Sequence, residues 1–368
     1  MMMNLNNYIE ENQKRILKTT EITELDELAF ARISYLPFHK IKKQLDLTKR
    51  NFKISEIAEA MKDLPTSAFG WPDDEKFIQL LGKSPRFQNL KVGFFVRKND
   101  KKLEKQFSAV TIQINFFTMY VSFFGTDGTL FGWKEDFMMS CMSETEGTKE
   151  ALDYLNDVSK LIKGDFMLGG HSKGGNFAMY AAAFCNDEIK KRITKIYNND
   201  GPGFREEIIN TEEYKQIVNK IYSIVPQTSI IGQLLSNEGE QKVVKSSAKG
   251  IFQHDAMTWE VMRDEFVESK LDDMSNFINV SLGTWLEKTD DETRESLVST
   301  VFALIEETEA KTFKEFGGNL LKNVGIIIKS LAKLPKEKRD ELISAFSGVL
   351  QAGGEAVIDN ISISKNKG

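Results

Sequence analysis

Phe166-Met167-Leu168-Gly169-Gly170-His171-Ser172-Lys173-Gly174-Gly175-Asn176-Phe177-Ala178-Met179-Tyr180-Ala181-Ala182-Ala183 passes from a short apolar run, through Gly-x-Ser-x-Gly, into an alanine-rich run of high helix propensity. That order predicts strand, tight turn and helix with Ser172 at the apex, the setting of a nucleophile elbow. Gly170 and Gly174 take away the Cβ atoms that would collide with the neighbouring strand and helix. The amides of the helix N-terminus are placed to hold an oxyanion. A bare Gly-x-Ser-x-Gly arises by chance in roughly one chain of this length in ten. The rest of the chain must therefore supply a base, an acid and an oxyanion site.

The chain has 368 residues, 41% apolar and 28% charged, the balance of a globular protein large enough for two domains. Its net charge of −5, and the lack of a basic run interleaved with aromatics, give no reason to expect nucleic acid. Two cysteines without C-x-x-C spacing and three histidines offer no metal-binding pattern, and the expected chemistry needs no metal or organic cofactor. The start, MMMNLNNYIEENQKRILK, lacks the layout of a signal peptide, and the richest apolar stretch, Phe116 to Phe124, is only of strand length. With few cysteines, the expectation is a cytoplasmic protein.

Ahead of the elbow, three helical patterns (Glu24 to Leu36, Lys53 to Leu64, Asp73 to Leu81) are expected to cover a sheet. In the first, Leu25, Leu28, Ala29, Ile33 and Leu36 form an apolar stripe. His39 reads as a surface histidine. Leu90 to Val96 and Ala109 to Phe124 carry strand signals, the second long enough for two paired strands, and Arg97 to Lys105 reads as a solvated loop or hairpin. The strand ending at Phe124 runs into Gly125-Thr126-Asp127-Gly128. Thr126 is either an oxyanion residue, offering its N–H and hydroxyl, or an ordinary threonine in a glycine turn. An amphipathic helix, Gly147 to Lys163, precedes the elbow strand, the crossover pattern of a parallel sheet. His171 should point away from the nucleophile and serve structure. Lys173 opens the next helix, where its N–H can join the oxyanion site and its charge can add to the local field.

Phe124-Gly125-Thr126-Asp127 with Gly132-Trp133-Lys134-Glu135-Asp136 resembles the F-R-G-T…D-W…D segment of class-three lipases, and Gly170-His171-Ser172-Lys173-Gly174-Gly175-Asn176 is similar to their G-H-S-L-G-G-A elbow. From Leu25 to about Trp259 the chain resembles more closely the Mbeg1-like family of bacterial lipase-like proteins, which share S-Y-L, G-H-S-K-G-G-N and D-G-P-G-F segments. The resemblance implies an α/β-hydrolase-like fold, with a mostly parallel sheet flanked by helices, and an ester or lipid-like substrate. It also implies Thr126 as oxyanion residue. One departure is Phe124, where class-three lipases carry arginine. A second lies at the acid: the class-three position falls on Ser229, which carries no charge to stabilise an imidazolium. Asp200, in the turn Asp200-Gly201-Pro202-Gly203-Phe204 after the next strand, matches the acid position of pancreatic-type lipases. It would otherwise cap its own turn. Asp255 is a third choice. His254 lies 82 residues beyond Ser172 and is the one histidine after it, in the chain order Ser…Asp…His.

From about Glu265 the composition shifts to helix formers without a strand signal. We therefore divide the chain into a hydrolase-like domain, 1–264, and a helical extension, 265–368. Glu292 to Glu309, Leu320 to Leu334 and a helix near Pro335 to Leu350 have apolar faces. These suit packing on the hydrolase domain, a lid, a membrane-surface contact or a dimer interface. The expected activity is ester hydrolysis through Ser172, His254 and Asp200, with Thr126 and Lys173 at the oxyanion. The alternatives are a catalytically silent binding or regulatory module, or an interaction protein working through the C-terminal helices.

Overall fold

The computed structural model describes residues 3–11, 22–71, 73–100, 105–126, 134, 138, 144–273, 275, 289–310, 315, 319–340 and 342–343. Its centre is an eight-stranded sheet whose spatial order is the chain order: β1 (Phe52–Lys53), β2 (Lys91–Asp100), β3 (Lys105–Gln113), β4 (Thr118–Phe123), β5 (Asp165–His171), β6 (Ile193–Asn199), β7 (Ile221–Pro226) and β8 (Glu240–Val244). β1 to β4 pair antiparallel, and β4 to β8 pair parallel. The run from Ala109 to Phe124 thus resolves into parts of two paired strands around a turn at 114–117. Of the two readings of Arg97 to Lys105, the hairpin holds: β2 continues to Asp100 and pairs there with Lys105 at the start of β3, and 101–104 lie outside the described residues.

Alternation along the strands divides the interior in two. Met119, Val121, Phe123, Phe166, Leu168 and Ile196 face one side. Tyr120, Met167 and Tyr197 face the other. On the first side lie α5 (Glu146–Leu161), started by Thr145 in a capping box with Thr148, and α6 (Lys173–Phe184). The opposite side is covered by α1 (Leu5–Glu11), α2 (Glu24–Ile33), α3 (Ile54–Met61) and α4 (Asp74–Lys83).

α2 departs from the amphipathic helix its stripe implied. Every residue from Leu25 to Ile33 is buried, because the helix is enclosed between the sheet and the α1 and α4 layer. Its three buried charged residues each meet partners there. Asp26 takes the Arg86 guanidinium and the Tyr8 hydroxyl, Arg32 pairs with Asp74 at 2.7 Å, and Glu27 reaches into the sheet. A charge buried without such a partner would cost several kcal/mol.

The expected end of the hydrolase-like unit at residue 264 falls inside a two-stranded ribbon, Val261–Met262 with Glu265–Phe266, so strand structure continues past the compositional shift. Beyond it, Glu268 bridges to Val244, the Ser269 N–H donates to Val243, and the Ser275 hydroxyl donates to the Ser229 carbonyl. α7 (Asp291–Glu306) then packs Val298 and Phe302 on Ile231 and Leu234, and Asp291 pairs with Arg205. α8 (Leu320–Lys333) follows. Of the helix expected near Pro335 to Leu350, residues 341 and 344–350 lie outside the described residues. No helix of the described residues is long and apolar enough to cross a membrane.

Candidate active site

β5 ends at His171, and Ser172 follows with φ +58° and ψ −136°, a region costing on the order of 1–3 kcal/mol for a residue with a side chain. Backbone bonds hold it there: the Ser172 N–H donates to the Asn199 carbonyl at 2.8 Å, and the Gly175 N–H to the Ser172 carbonyl at 2.9 Å. The expected role of the flanking glycines is visible in the distances. A Cβ on Gly174 would stand 2.2 Å from the Phe123 oxygen, and one on Gly170 would stand 2.4 Å from the Gly174 carbonyl carbon. Serine is a common helix N-cap, yet this one makes no cap bond. Its hydroxyl is directed instead to His254.

Ser172 Oγ lies 2.9 Å from His254 Nε2, and His254 Nδ1 lies 2.7 Å from Asp200 Oδ2. The Asp200 carboxylate accepts at Nδ1, which fixes the tautomer with Nε2 as acceptor for the serine proton. The other carboxylate oxygen, Oδ1, accepts the Ser229 hydroxyl at 2.5 Å and the Gly232 N–H at 3.2 Å. Ser229 therefore bonds Asp200, not the imidazole. The turn-capping task considered for Asp200 is performed by Asn198, whose side chain bonds the N–H and the carbonyl of Gly201. Asp255 is directed elsewhere. It accepts the Met257 N–H, and burial raises its pKa. All three members of the chain are buried, with Ser172 only 1% exposed.

The two glycine-rich segments grip each other. Asn176, in the first turn of α6, donates from Nδ2 to the carbonyls of Pro202 and Gly203. The loop of His254 is clamped at three points. The Gln253 side chain bonds Thr228, the Trp259 indole donates to the Gln253 carbonyl, and His171 Nε2 donates to the His254 carbonyl at 2.7 Å. His171 Nδ1 in turn accepts the Tyr35 hydroxyl at 3.0 Å. Burial, with the nearby His254 and Arg32 charges, holds the His171 pKa well below its usual value, so the ring stays neutral and keeps this donor–acceptor pattern. On the same face, Glu27 accepts the Tyr120 hydroxyl at 2.5 Å and the Asn199 amide at 3.0 Å. Burial pushes its pKa up to about 8. Tyr35, Glu27 and Asn199 were not legible as site residues. The available signal was parity: Met167, Gly169 and His171 share the face that α2 covers.

Thr126 lies three residues beyond β4, 4% exposed. Its neighbour Gly125 packs so closely that a Cβ there would stand 3.1 Å from the Ser172 Cβ. Asp127 to Trp133 lie outside the described residues. The Lys173 backbone opens α6, where the helix dipole is positive. Its side chain is wholly buried, with Nζ 5.7 Å from the Phe177 ring centroid. Next to Gly125, the Tyr35 and Phe124 rings meet at 4.7 Å, tilted by 49°, and help line a cavity of about 270 Å³ with Phe69, Trp71 and Phe95, which Lys40 and Arg97 also border. His39 is exposed, as expected, and bonds Arg97. Among the described residues no group of His, Cys, Asp or Glu is arranged to hold a metal ion.

This is an α/β fold with a strained serine at a strand–helix turn and a hydrogen-bonded Ser–His–Asp chain, the arrangement from which acyl-transfer sites are built. The chain belongs to the Mbeg1-like family, whose profile matches residues 81–303, more than half its length. No curated protein sequence matches it. Similar solved structures include a Rhizomucor miehei lipase in complex with its propeptide, at 14% identity over 62% of this chain and 70% of that one, with TM-score 0.38. M37 lipase is similar at 16% identity over 56% and 68%, with TM-score 0.37.

Proposed function

We propose that the protein is a serine hydrolase that cleaves a carboxylic ester through an acyl-enzyme at Ser172. The observation carrying this reading is the continuous hydrogen-bonded chain from Ser172 Oγ through His254 to Asp200 at a positive-φ elbow. Ser172 Oγ attacks the ester carbonyl while His254 Nε2 takes its proton. His254 then gives that proton to the leaving alcohol, and the same imidazole activates water to release the acid. Asp200 holds the ring in the required tautomer and stabilises the imidazolium. Thr126 and the Lys173 N–H bind the oxyanion, each donor being worth ~3–4 kcal/mol of barrier. The cavity at Tyr35 and Phe124, walled by aromatic rings on one side and bordered by Lys40 and Arg97, gives room beside Gly125 for an acyl or alcohol group.

The test is labelling with a fluorophosphonate probe, together with turnover of short- and long-chain nitrophenyl esters. Wild-type protein should label, and Ser172→Ala and His254→Ala should not. Absence of both labelling and turnover in the wild type would overturn the assignment in favour of a silent binding module. Thr126→Val should lower kcat by roughly 10²-fold while leaving labelling detectable.

A further inference from the structure

At the end of the sheet remote from the serine, the turn joining β3 to β4 carries Phe116 and Phe117, 81% and 70% exposed. Their rings stack edge to face at 5.1 Å. Leu161, the last residue of α5 and three residues before the Gly164 that packs on this turn, is 71% exposed. Well-packed proteins bury such side chains, and their exposure at one end of the sheet marks a contact surface.

The tip is rigidly built. The Asn115 side chain accepts the N–H groups of Phe117 and Thr118, which turns the chain sharply and projects the two rings. The Asp165 N–H donates to the Phe117 carbonyl at 2.7 Å. Gly164 lies against the same carbonyl, where a Cβ would stand 2.1 Å away, and Arg192 holds Gly164 in place through its own carbonyl. Cations flank it. Lys163 is exposed one residue before that glycine. Lys91, also exposed, pairs in register with Gln113 just ahead of the turn. Lys91 and Gln113 share a cavity of about 400 Å³ with Lys49 and Arg50. Acids stand at this end too: Asp165 and Asp187 are exposed, while Asp46 pairs with Lys49, Asp157 with Lys160 and Glu188 with Lys191, so Lys91 and Lys163 are the cations left to face a partner.

We propose that this turn docks the protein on an anionic lipid surface, with Phe116, Phe117 and Leu161 entering the headgroup layer and Lys91 and Lys163 meeting its negative charge. A protein interface is broad and poor in lysine at its core, whereas two exposed aromatic rings on one turn with a lysine on either side match the membrane interface. Thr118 of β4 is in register with Asp165 at the start of β5, so the seven residues of β5 separate the tip from Ser172 by ~20 Å. The docked molecule therefore turns its catalytic end to the solution. Membrane contact here is tethering, independent of whether Ser172 is a nucleophile.

Co-sedimentation of the full chain with vesicles tests this, comparing phosphatidylcholine alone with phosphatidylcholine containing phosphatidylglycerol. Binding should require the anionic lipid, weaken with salt, and fall at least tenfold in the double variant F116S/F117S. Lys91→Gln and Lys163→Gln should each weaken it about fivefold at low salt. Both phenylalanines are exposed, so an unchanged circular dichroism spectrum and Tm will show that the double variant folds. Ser172→Ala should bind vesicles like the wild type, and F116S/F117S should turn over soluble nitrophenyl esters like the wild type. Equal vesicle binding by wild type and F116S/F117S would overturn the proposal, as would equal binding to neutral and anionic vesicles. A dimer seen by light scattering and lost in F116S/F117S, without vesicle binding, would overturn it in favour of a second copy of the chain.

Discussion

The two faces of the sheet are built on different principles. Against α5 and α6 the interior is apolar, with Phe107, Phe123, Phe166, Leu168 and Phe177 packed beside four alanines of α6. Against α2 it holds a carboxyl group, a neutral histidine, two tyrosine hydroxyls and an asparagine, all bonded to one another or to the site. The apolar face sets distance, since α6 can approach β4 and β5 only where Gly170 and Gly174 give it room. The polar face sets direction. Through Glu27 and the Asn199 side chain it holds the Gly170 carbonyl, two residues before Ser172, and through Tyr35 and His171 it holds the backbone of His254. Hydrogen bonds are directional and dispersion is not, so a site that needs fixed angles is supported from the face able to supply them.

The strongest way to test this division is at Asp200, where the network ends. Asp200→Asn should cost about 10⁴-fold in kcat with the fold intact, because the amide favours the wrong imidazole tautomer. Esterase assays alongside circular dichroism would check it, and a mild loss would move the acid role elsewhere. On the apolar face the corresponding test is Gly174→Val. The new Cβ would meet the Phe123 backbone oxygen, which cannot move aside without shifting β4. A loss of at least about 3 kcal/mol in urea unfolding is expected.

A third test uses pH. Glu27 is raised from 4.5 to about 8 by burial, so the folded protein holds its proton more tightly than the unfolded chain does. The stability contributed by the neutral carboxyl is complete below pH 4.5 and is lost as pH rises through 8. Glu27→Gln should flatten that part of the stability–pH profile, by a few kcal/mol at most. An unchanged profile would show that Glu27 is ionised in the fold. The smallest expected effect is Tyr35→Phe, which removes the donor to His171 Nδ1. It should lower stability by about 1 kcal/mol and kcat roughly tenfold, with KM for a short ester little changed. A change in KM alone would assign Tyr35 to the cavity wall instead of to the support of His254.

Much of the apolar face was legible, because periodicity reports burial. The strands from Leu90 to Phe124, the helix after the elbow and the crossover order follow from alternation and helix propensity. The polar face was not. Glu27 and Asn199 stand 172 residues apart, and a glutamate on a helix reads as solvated until the opposite layer is known. Ser229 shows the same limit. Its identity ruled it out as the acid, but its contact with Asp200 depends on how the loops after β6 and β7 meet. The break placed at residue 264 reflects composition, while the ribbon at 261–266 and the packing of α7 reflect contacts.

The sequence by itself determined the strand–turn–helix at Ser172 and the space its glycines leave, because these are local steric facts. It also limited the downstream imidazole to His254, since no other histidine follows the serine. Only the tertiary structure decided which carboxylate faces that imidazole. Asp200, Ser229 and Asp255 are all chemically able to make hydrogen bonds, and a difference of a few ångströms in loop position separates an orienting carboxylate from a turn cap. The same holds for the buried charges of α2: their partners come from distant segments, and only the closed fold brings them within bonding distance.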